Sequence, residues 1–146
     1  MKPASVSLSD SIGAPVERVF ELLTDSARLR EWYPGCDGVV RRQGGRGKGE
    51  RWTLRIKTTN RVADLQIEVI DYTPPTSFGW IELAPRAGSK IFFRLEFSGG
   101  ATRITMKEIW IPKTLRGWVR GKLLRRRNAH RVFDGMIQNL RKVLGR

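Results

Sequence analysis

Alternation of apolar and polar residues is the main pattern along this chain, and it predicts β-strands. Val6, Leu8 and Ile12 fall on one side of a period-2 pattern, which predicts a first strand over residues 5–13. Six more segments with the same period follow after a gap, and the last of them ends near Trp110. Short turn sequences separate these segments, as hairpins require. The middle of the chain is therefore predicted to form an antiparallel sheet.

Helical periodicity occurs in two places, directly after the first strand and at the end of the chain. Pro15 suits the start of a helix, because a proline in the first turn sacrifices no hydrogen bond. A second short helix is predicted over residues 26–32, with Ser26 as its N-cap. The segment 114–144 predicts one long helix, roughly 45 Å in length. Its apolar stripe, at spacings of three or four residues, is predicted to contain Leu115, Val119, Leu123, His130, Phe133, Met136, Ile137 and Leu140.

The order of these elements resembles a known superfamily. Residues 12–20 (IGAPVERVF), residues 29–35 (LREWYPG), the Pro74–Pro75 break and residues 102–105 (TRIT) carry the resemblance, through their order and spacing. The chain resembles the START-like superfamily, also called SRPBCC or helix-grip, of the polyketide cyclase/dehydrase and lipid-transport type. The resemblance implies an α+β fold in one domain over residues 1–146. In that fold a seven-stranded antiparallel sheet curls around the C-terminal helix, with two short helices after the first strand, and leaves an apolar cavity.

The strand pattern and the resemblance together indicate which residues face this cavity. Inward-facing residues of the sheet and the long helix are expected to be large and often aromatic. Packing of these side chains against one another is the competing explanation for each residue taken singly. The predicted ligand-binding residues are Trp52, Leu54, Ile56, Ile67, Trp80, Phe93, Leu95, Met106, Trp110, Phe133 and Met136.

Three acidic residues share strand parity with inward apolar neighbours and are the candidate catalytic groups: Asp10, Glu82 and Glu108. Pairing the strands on either side of the turns at residues 85–88 and 98–101 places Glu82, Ile91 and Glu108 on one cross-strand row. The two carboxylates would then lie on the order of 10 Å apart. Buried carboxylates need a cation or a proton, and the candidate partners are arginines of the last helix, particularly Arg126. Alternatively, the strand with Glu82 faces the other way, or the acids lie at a solvated mouth.

Charge is concentrated in two segments of this basic chain, whose net charge is +14. Residues 112–146 carry a net charge of +10, and the glycine-rich stretch 41–51 carries +4. Such a focused field favours anionic partners, although a solvated helix face would look the same in sequence. The predicted contacts with an anionic surface are Arg116, Arg120, Arg125, Arg126, Arg127 and Arg131.

Metal and cofactor chemistry has little support in the sequence. One histidine, His130, and one cysteine, Cys36, do not provide an ordinary zinc site, and we expect no metal and no cofactor. A single cysteine also excludes an internal disulfide and fits a reducing compartment. The N-terminal residues lack the apolar stretch of a secretory signal, so a cytoplasmic location is expected.

Three functions remain open at this stage. The first is a carrier or sensor of an apolar small molecule such as a lipid, isoprenoid, quinone or polyketide. The second is an enzyme of the polyketide cyclase/dehydrase kind that uses a cavity carboxylate. The third is electrostatic binding of nucleic acid, or peripheral contact with an anionic membrane, through the last helix; the sequence offers no base-reading motif for nucleic acid.

Overall fold

The computed structural model describes residues 3–57, 59–112 and 115–145, and only the backbone is described for residues 115–123. The strands are β1 (Ala4–Ile12), β2 (Cys36–Gln43), β3 (Arg51–Lys57), β4 (Val62–Thr73), β5 (Ser77–Ala84), β6 (Lys90–Ser98) and β7 (Ala101–Trp110). The helices are α1 (Val16–Thr24), α2 (Leu29–Trp32, directly after a 3₁₀ turn at Ser26–Arg28) and α3 (Leu115–Leu144).

All seven strands form one antiparallel sheet in the order β1-β7-β6-β5-β4-β3-β2. Strands β2 to β7 are successive neighbours joined by turns, as their spacing in the sequence predicts. Strand β1 instead pairs with β7, so β1 and β2 form the two edges, and α1 and α2 connect those edges along the chain. The predicted α+β helix-grip architecture, with the sheet curled around a long C-terminal helix, is confirmed.

Helix α3 contacts β1, α1 and α2. Ala129, Phe133, Met136, Ile137 and Leu140 are buried along one stripe of this helix. His130 was predicted to belong to the stripe, and this is wrong, because it is exposed. A residue one position beyond buried Ala129 is rotated by about 100° around the helix axis, which turns its side chain to solvent. Predictions on Thr114 and on the side chains of Leu115, Val119 and Leu123 lie outside the described residues.

The predicted N-cap of the second helical segment is also wrong. Ser26 is buried, and the Asp25 carboxylate accepts a hydrogen bond from the Ala27 backbone N–H at 3.0 Å. Asp25 precedes the turn and has an extended backbone conformation, which is the usual geometry of a capping residue. The helical segment therefore begins at Ser26, one residue earlier than a cap at Ser26 would place it.

Candidate functional site

A pocket of about 90 Å³ lies between strands β5, β6 and β7 and helix α3. Its apolar lining comes from the sheet and from α3. Five charged side chains line it as well, together with Tyr33, Ser89 and Asn128. The complete lining is Tyr33, Leu54, Leu65, Trp80, Glu82, Arg86, Ser89, Lys90, Ile91, Met106, Glu108, Arg125, Asn128 and Val132.

Aromatic side chains fill much of the space that the sequence predicts as cavity. The rings of Trp52, Phe78, Trp80 and Phe93 lie with centroids 5.7–6.5 Å apart. Trp32 adds a further edge-to-face contact with Phe93 at 5.7 Å. Aromatic pairs at these separations are mutually attractive, so the rings pack against each other rather than around an open space.

Only three of the predicted ligand-binding residues line the pocket: Leu54, Trp80 and Met106. Of the others, Ile56 is partly buried beside the core. The remaining seven are buried in the core and do not line this pocket: Trp52, Ile67, Phe93, Leu95, Trp110, Phe133 and Met136.

The register of the hairpins differs from the predicted one by two residues. Trp80 lies opposite Ile91, and Ile91 lies opposite Glu108. Glu82 is two positions further along β5, where its backbone N–H donates to the Ser89 carbonyl at 2.7 Å. The predicted row of Glu82, Ile91 and Glu108 is therefore wrong. A shift of two residues preserves the face of a strand, so Glu82 and Glu108 both still reach the pocket.

Glu82 is a buried carboxylate that is satisfied from the following loop. The Arg86 backbone N–H donates to Oε2 at 2.7 Å, and Arg86 Nη2 donates to Oε1 at 3.3 Å. Charge-assisted hydrogen bonds of this kind offset the cost of burying a carboxylate. Arg86 was not identified from the sequence. A spacing of four positions brings two side chains together on a helix, but it predicts no contact when the chain between them forms a loop.

Glu108 and Arg125 form a looser pair. Glu108 Oε1 lies 3.8 Å from Arg125 Nη1, which is buried and has no hydrogen-bond partner. The Arg125 guanidinium also lies over the Trp110 ring, 4.9 Å from its centroid, in a cation–π contact. The partner is an arginine of the last helix, as predicted, but the preferred candidate Arg126 is exposed. Arg125 precedes buried Ala129 by four residues, one helical turn, so it lies on the stripe that faces the sheet.

Burial sets the protonation behaviour of this pair. Desolvation raises the pKa of Glu108, and the neighbouring Arg125 and Arg86 only partly oppose it. Desolvation likewise lowers the pKa of Arg125, although an arginine remains charged at any physiological pH. Burial also raises the pKa of the Tyr33 hydroxyl, so this phenol stays protonated and available as a donor.

Asp10 lies away from the pocket. Its Oδ1 accepts a hydrogen bond from Arg141 Nη2 at 3.2 Å, and the same nitrogen donates to the Ser11 carbonyl at 2.9 Å. Both side chains are more than 40% exposed. Asp10 lies on the same face of β1 as buried Val6 and Ile12, as its strand parity predicts, but its side chain is half-exposed beside α3 and does not line the pocket. Its role as a catalytic candidate stays a prediction.

The basic face of α3 differs from the predicted one in one respect. Arg126, Arg127 and Arg131 are exposed, so their contact with an anionic surface stays a prediction. Arg125 is directed into the pocket, which removes it from that surface. The side chains of Arg116 and Arg120 lie outside the described residues. Within the described part of the chain, no helix has the length and hydropathy to cross a membrane, and no three potential ligands cluster around a metal position.

Comparison with known proteins assigns the chain to a family. A family model described as polyketide cyclase/dehydrase and lipid transport matches residues 3–145. A search of curated protein sequences finds no match. The similar solved structures include protein NE0264 from Nitrosomonas europaea, with a TM-score of 0.76, 15% identity and coverage of 96% of this chain and 93% of that one.

Two further similar structures carry descriptive names. One is a START superfamily protein from Mycobacterium smegmatis, with a TM-score of 0.71, 14% identity and 96% coverage of both chains. The other is the Zhui aromatase/cyclase from Streptomyces sp. R1128, with a TM-score of 0.73, 14% identity and coverage of 99% of this chain and 98% of that one. At these identities the likeness establishes the fold, and a fold alone does not assign a function. By its family model, which covers nearly the whole chain, the protein belongs to the family described as polyketide cyclase/dehydrase and lipid transport.

Proposed function

We propose that this chain binds an apolar small molecule with one polar head and acts as its carrier or sensor. The supporting observation is the mixed lining of the pocket, in which the apolar side chains of Leu54, Met106 and Val132 occur together with the charged pairs of Glu82 and Glu108. Burial of apolar surface attracts the body of such a molecule, and polar groups fix its orientation. Lipids, isoprenoids, quinones and polyketide-like molecules are the classes that combine these properties.

The size of the pocket limits how much of the ligand it encloses. A cavity of roughly 150 Å³ in a protein core accommodates benzene. The pocket here, at about 90 Å³, is smaller than that and is partly open to solvent. We therefore expect the pocket to hold the polar head and the first carbons of the ligand, with the remainder extending through the opening.

A cyclase or dehydrase reaction is the second candidate, and Glu108 is the observation that favours it. Because desolvation raises its pKa, Glu108 keeps its proton at a higher pH than an exposed glutamate does. A protonated carboxyl in a pocket is a suitable general acid toward a carbonyl oxygen or a departing hydroxyl. Glu108→Gln would abolish turnover without loss of ligand binding if the chain is such an enzyme, and a carrier would show no turnover to lose.

Native mass spectrometry of freshly purified protein, followed by organic extraction, tests the binding proposal. We expect a discrete bound mass that is lost in Val132→Trp, because the larger side chain occupies the pocket. Val62→Trp is the matched control, since Val62 is 60% exposed on β4 and does not line the pocket. If the bound mass is equally present in Val132→Trp and Val62→Trp, the ligand lies elsewhere and the proposed site is wrong.

A further inference from the structure

The charges that line the pocket are unequal in number. Three cations, Arg86, Lys90 and Arg125, line it together with two carboxylates, Glu82 and Glu108. Because desolvation favours the neutral form of Glu108, the excess of positive charge grows when that carboxyl is protonated. A pocket with this balance attracts an anionic group more strongly than a neutral one.

Arg125 is a cation of the pocket with a buried nitrogen that lacks a hydrogen-bond partner. The Glu82 carboxylate is already engaged by two hydrogen bonds from Arg86. Arg125 Nη1, in contrast, lies 3.8 Å from Glu108 Oε1, beyond hydrogen-bond distance, and is a buried donor without an acceptor. A buried donor without an acceptor costs free energy, which a ligand oxygen in this position would recover.

From this geometry we infer that the pocket selects a ligand with a carboxylate head, which accepts hydrogen bonds from Arg125, over an uncharged ligand with the same apolar body. This inference rests on the proposed function, because it names the head group of the molecule bound at that site. The planar guanidinium fork matches a carboxylate in shape as well as in charge. Lys90, the first residue of β6, adds a further cation to the lining of the same pocket.

Glu108 gives this selectivity a dependence on pH. An ionised Glu108 repels a carboxylate bound at Arg125, whereas a protonated Glu108 donates a hydrogen bond to it. The other groups that face Glu108 are Glu82 on β5, Arg86 in the loop after it, Lys90 on β6 and Tyr33 before β2. Glu82 is held by Arg86, and the Tyr33 phenol stays neutral because burial raises its pKa. We therefore expect carboxylate binding to weaken as the pH rises through the pKa of Glu108.

Isothermal titration calorimetry with octanoate and 1-octanol tests the inference, because these probes share an eight-carbon chain and differ in the head. We expect octanoate to bind at least tenfold more tightly than 1-octanol, which corresponds to 1.4 kcal/mol. Arg125→Met should weaken octanoate by about tenfold and leave 1-octanol unchanged, since a charge-assisted hydrogen bond is lost. Glu108→Gln should bind octanoate more tightly at pH 8 and with less dependence on pH.

Arg126→Met is the matched control, since it removes one positive charge from the adjacent, exposed position of α3. Its octanoate affinity should stay within about twofold of the unmodified protein, because exposed charges are screened by salt. Circular dichroism of each variant verifies the fold. If Arg125→Met does not fold, the octanoate preference of the unmodified protein and the effect of Glu108→Gln still decide the question.

The outcomes separate this inference from the proposed function. Equal affinity for octanoate and 1-octanol, or equal weakening by Arg125→Met and Arg126→Met, overturns the carboxylate inference and leaves an amphiphile pocket standing. Binding of neither probe overturns both, because the pocket then takes no amphiphile of this kind. Tighter binding of octanoate that is lost only in Arg125→Met supports both.

Discussion

Replacing Gly79 with alanine probes how tightly β5 and β6 are packed beside the pocket. A Cβ at Gly79 would lie 2.5 Å from Phe92 Cδ1 and 2.9 Å from the Ile91 backbone oxygen. Gly79 lies directly opposite Phe92 in the sheet, so the phenyl ring occupies the space that a side chain would need. Real Cβ atoms do not come this close to other atoms, so the ring and the strand must both shift.

Overpacking of this kind typically costs about 1–3 kcal/mol in the free energy of unfolding. For a chain of this size, each kcal/mol lowers the melting temperature by about 2–4 °C. Urea unfolding of Gly79→Ala, Phe92→Ala and the double variant forms a cycle that isolates the clash. We expect Gly79→Ala to cost less in the Phe92→Ala background, with a coupling of about 0.5–2 kcal/mol, because only the Ile91 carbonyl then remains in the way.

The control for this cycle is Gly45→Ala, where a Cβ would meet no atom within 4 Å. It should leave stability within about 0.5 kcal/mol of the unmodified protein, as substitutions without new contacts usually do. An equal cost of Gly79→Ala with and without Phe92 would refute the reasoning, because the ring would then not be the obstacle. A cost no larger than that of Gly45→Ala would do the same.

Two further predictions follow from single contacts. Thr102→Val should lower the free energy of unfolding, measured in urea, by about 1–3 kcal/mol. The Oγ1 of fully buried Thr102 donates to the Ala14 carbonyl at 2.7 Å, and the isosteric valine leaves that carbonyl unpaired. An unchanged midpoint would mean that solvent replaces the bond. In an NMR titration of the ligand-free protein, Glu108 should titrate above the range of an exposed glutamate, and Arg125→Met should raise that pKa further, because Arg125 favours the ionised form. The folded state then holds the Glu108 proton more tightly than the unfolded chain does. The contribution of this carboxyl to stability therefore falls as the pH rises from the unfolded pKa to the folded pKa. A lower Glu108 pKa in Arg125→Met would contradict this assignment.

The architecture could be predicted from sequence because it depends on periodicity. Alternation identifies a strand and its buried face without knowledge of its partner, and turn residues mark where each strand ends. For the same reason, the strand face of Glu82 was predicted correctly, although the residue opposite it on β6 was not. Strand parity repeats every two residues, and the two-residue error in register left it unchanged. The register itself depends on how the Glu82–Ser89 loop closes, which the strand pattern does not encode.

The pocket was harder to predict, because its form depends on side-chain packing and helix phase. The sequence identified Trp52, Trp80 and Phe93 as large inward residues, but it does not reveal that their rings contact one another and reduce the open space. The phase of α3 was predicted one residue off. The predicted stripe contains His130, and one turn before it lies Arg126. The buried residue is Ala129, and one turn before it lies Arg125, the cation that meets Glu108.

The contact between the pocket and the aromatic cluster has an optical consequence. Trp80 lines the pocket, and its ring lies 6.3 Å from that of Trp52 and 5.9 Å from that of Tyr33, each at a defined angle. Rings held so close couple their electronic transitions, which produces a characteristic near-ultraviolet circular dichroism signal. A molecule that touches Trp80 would change this signal, so the protein carries its own label-free reporter of occupancy.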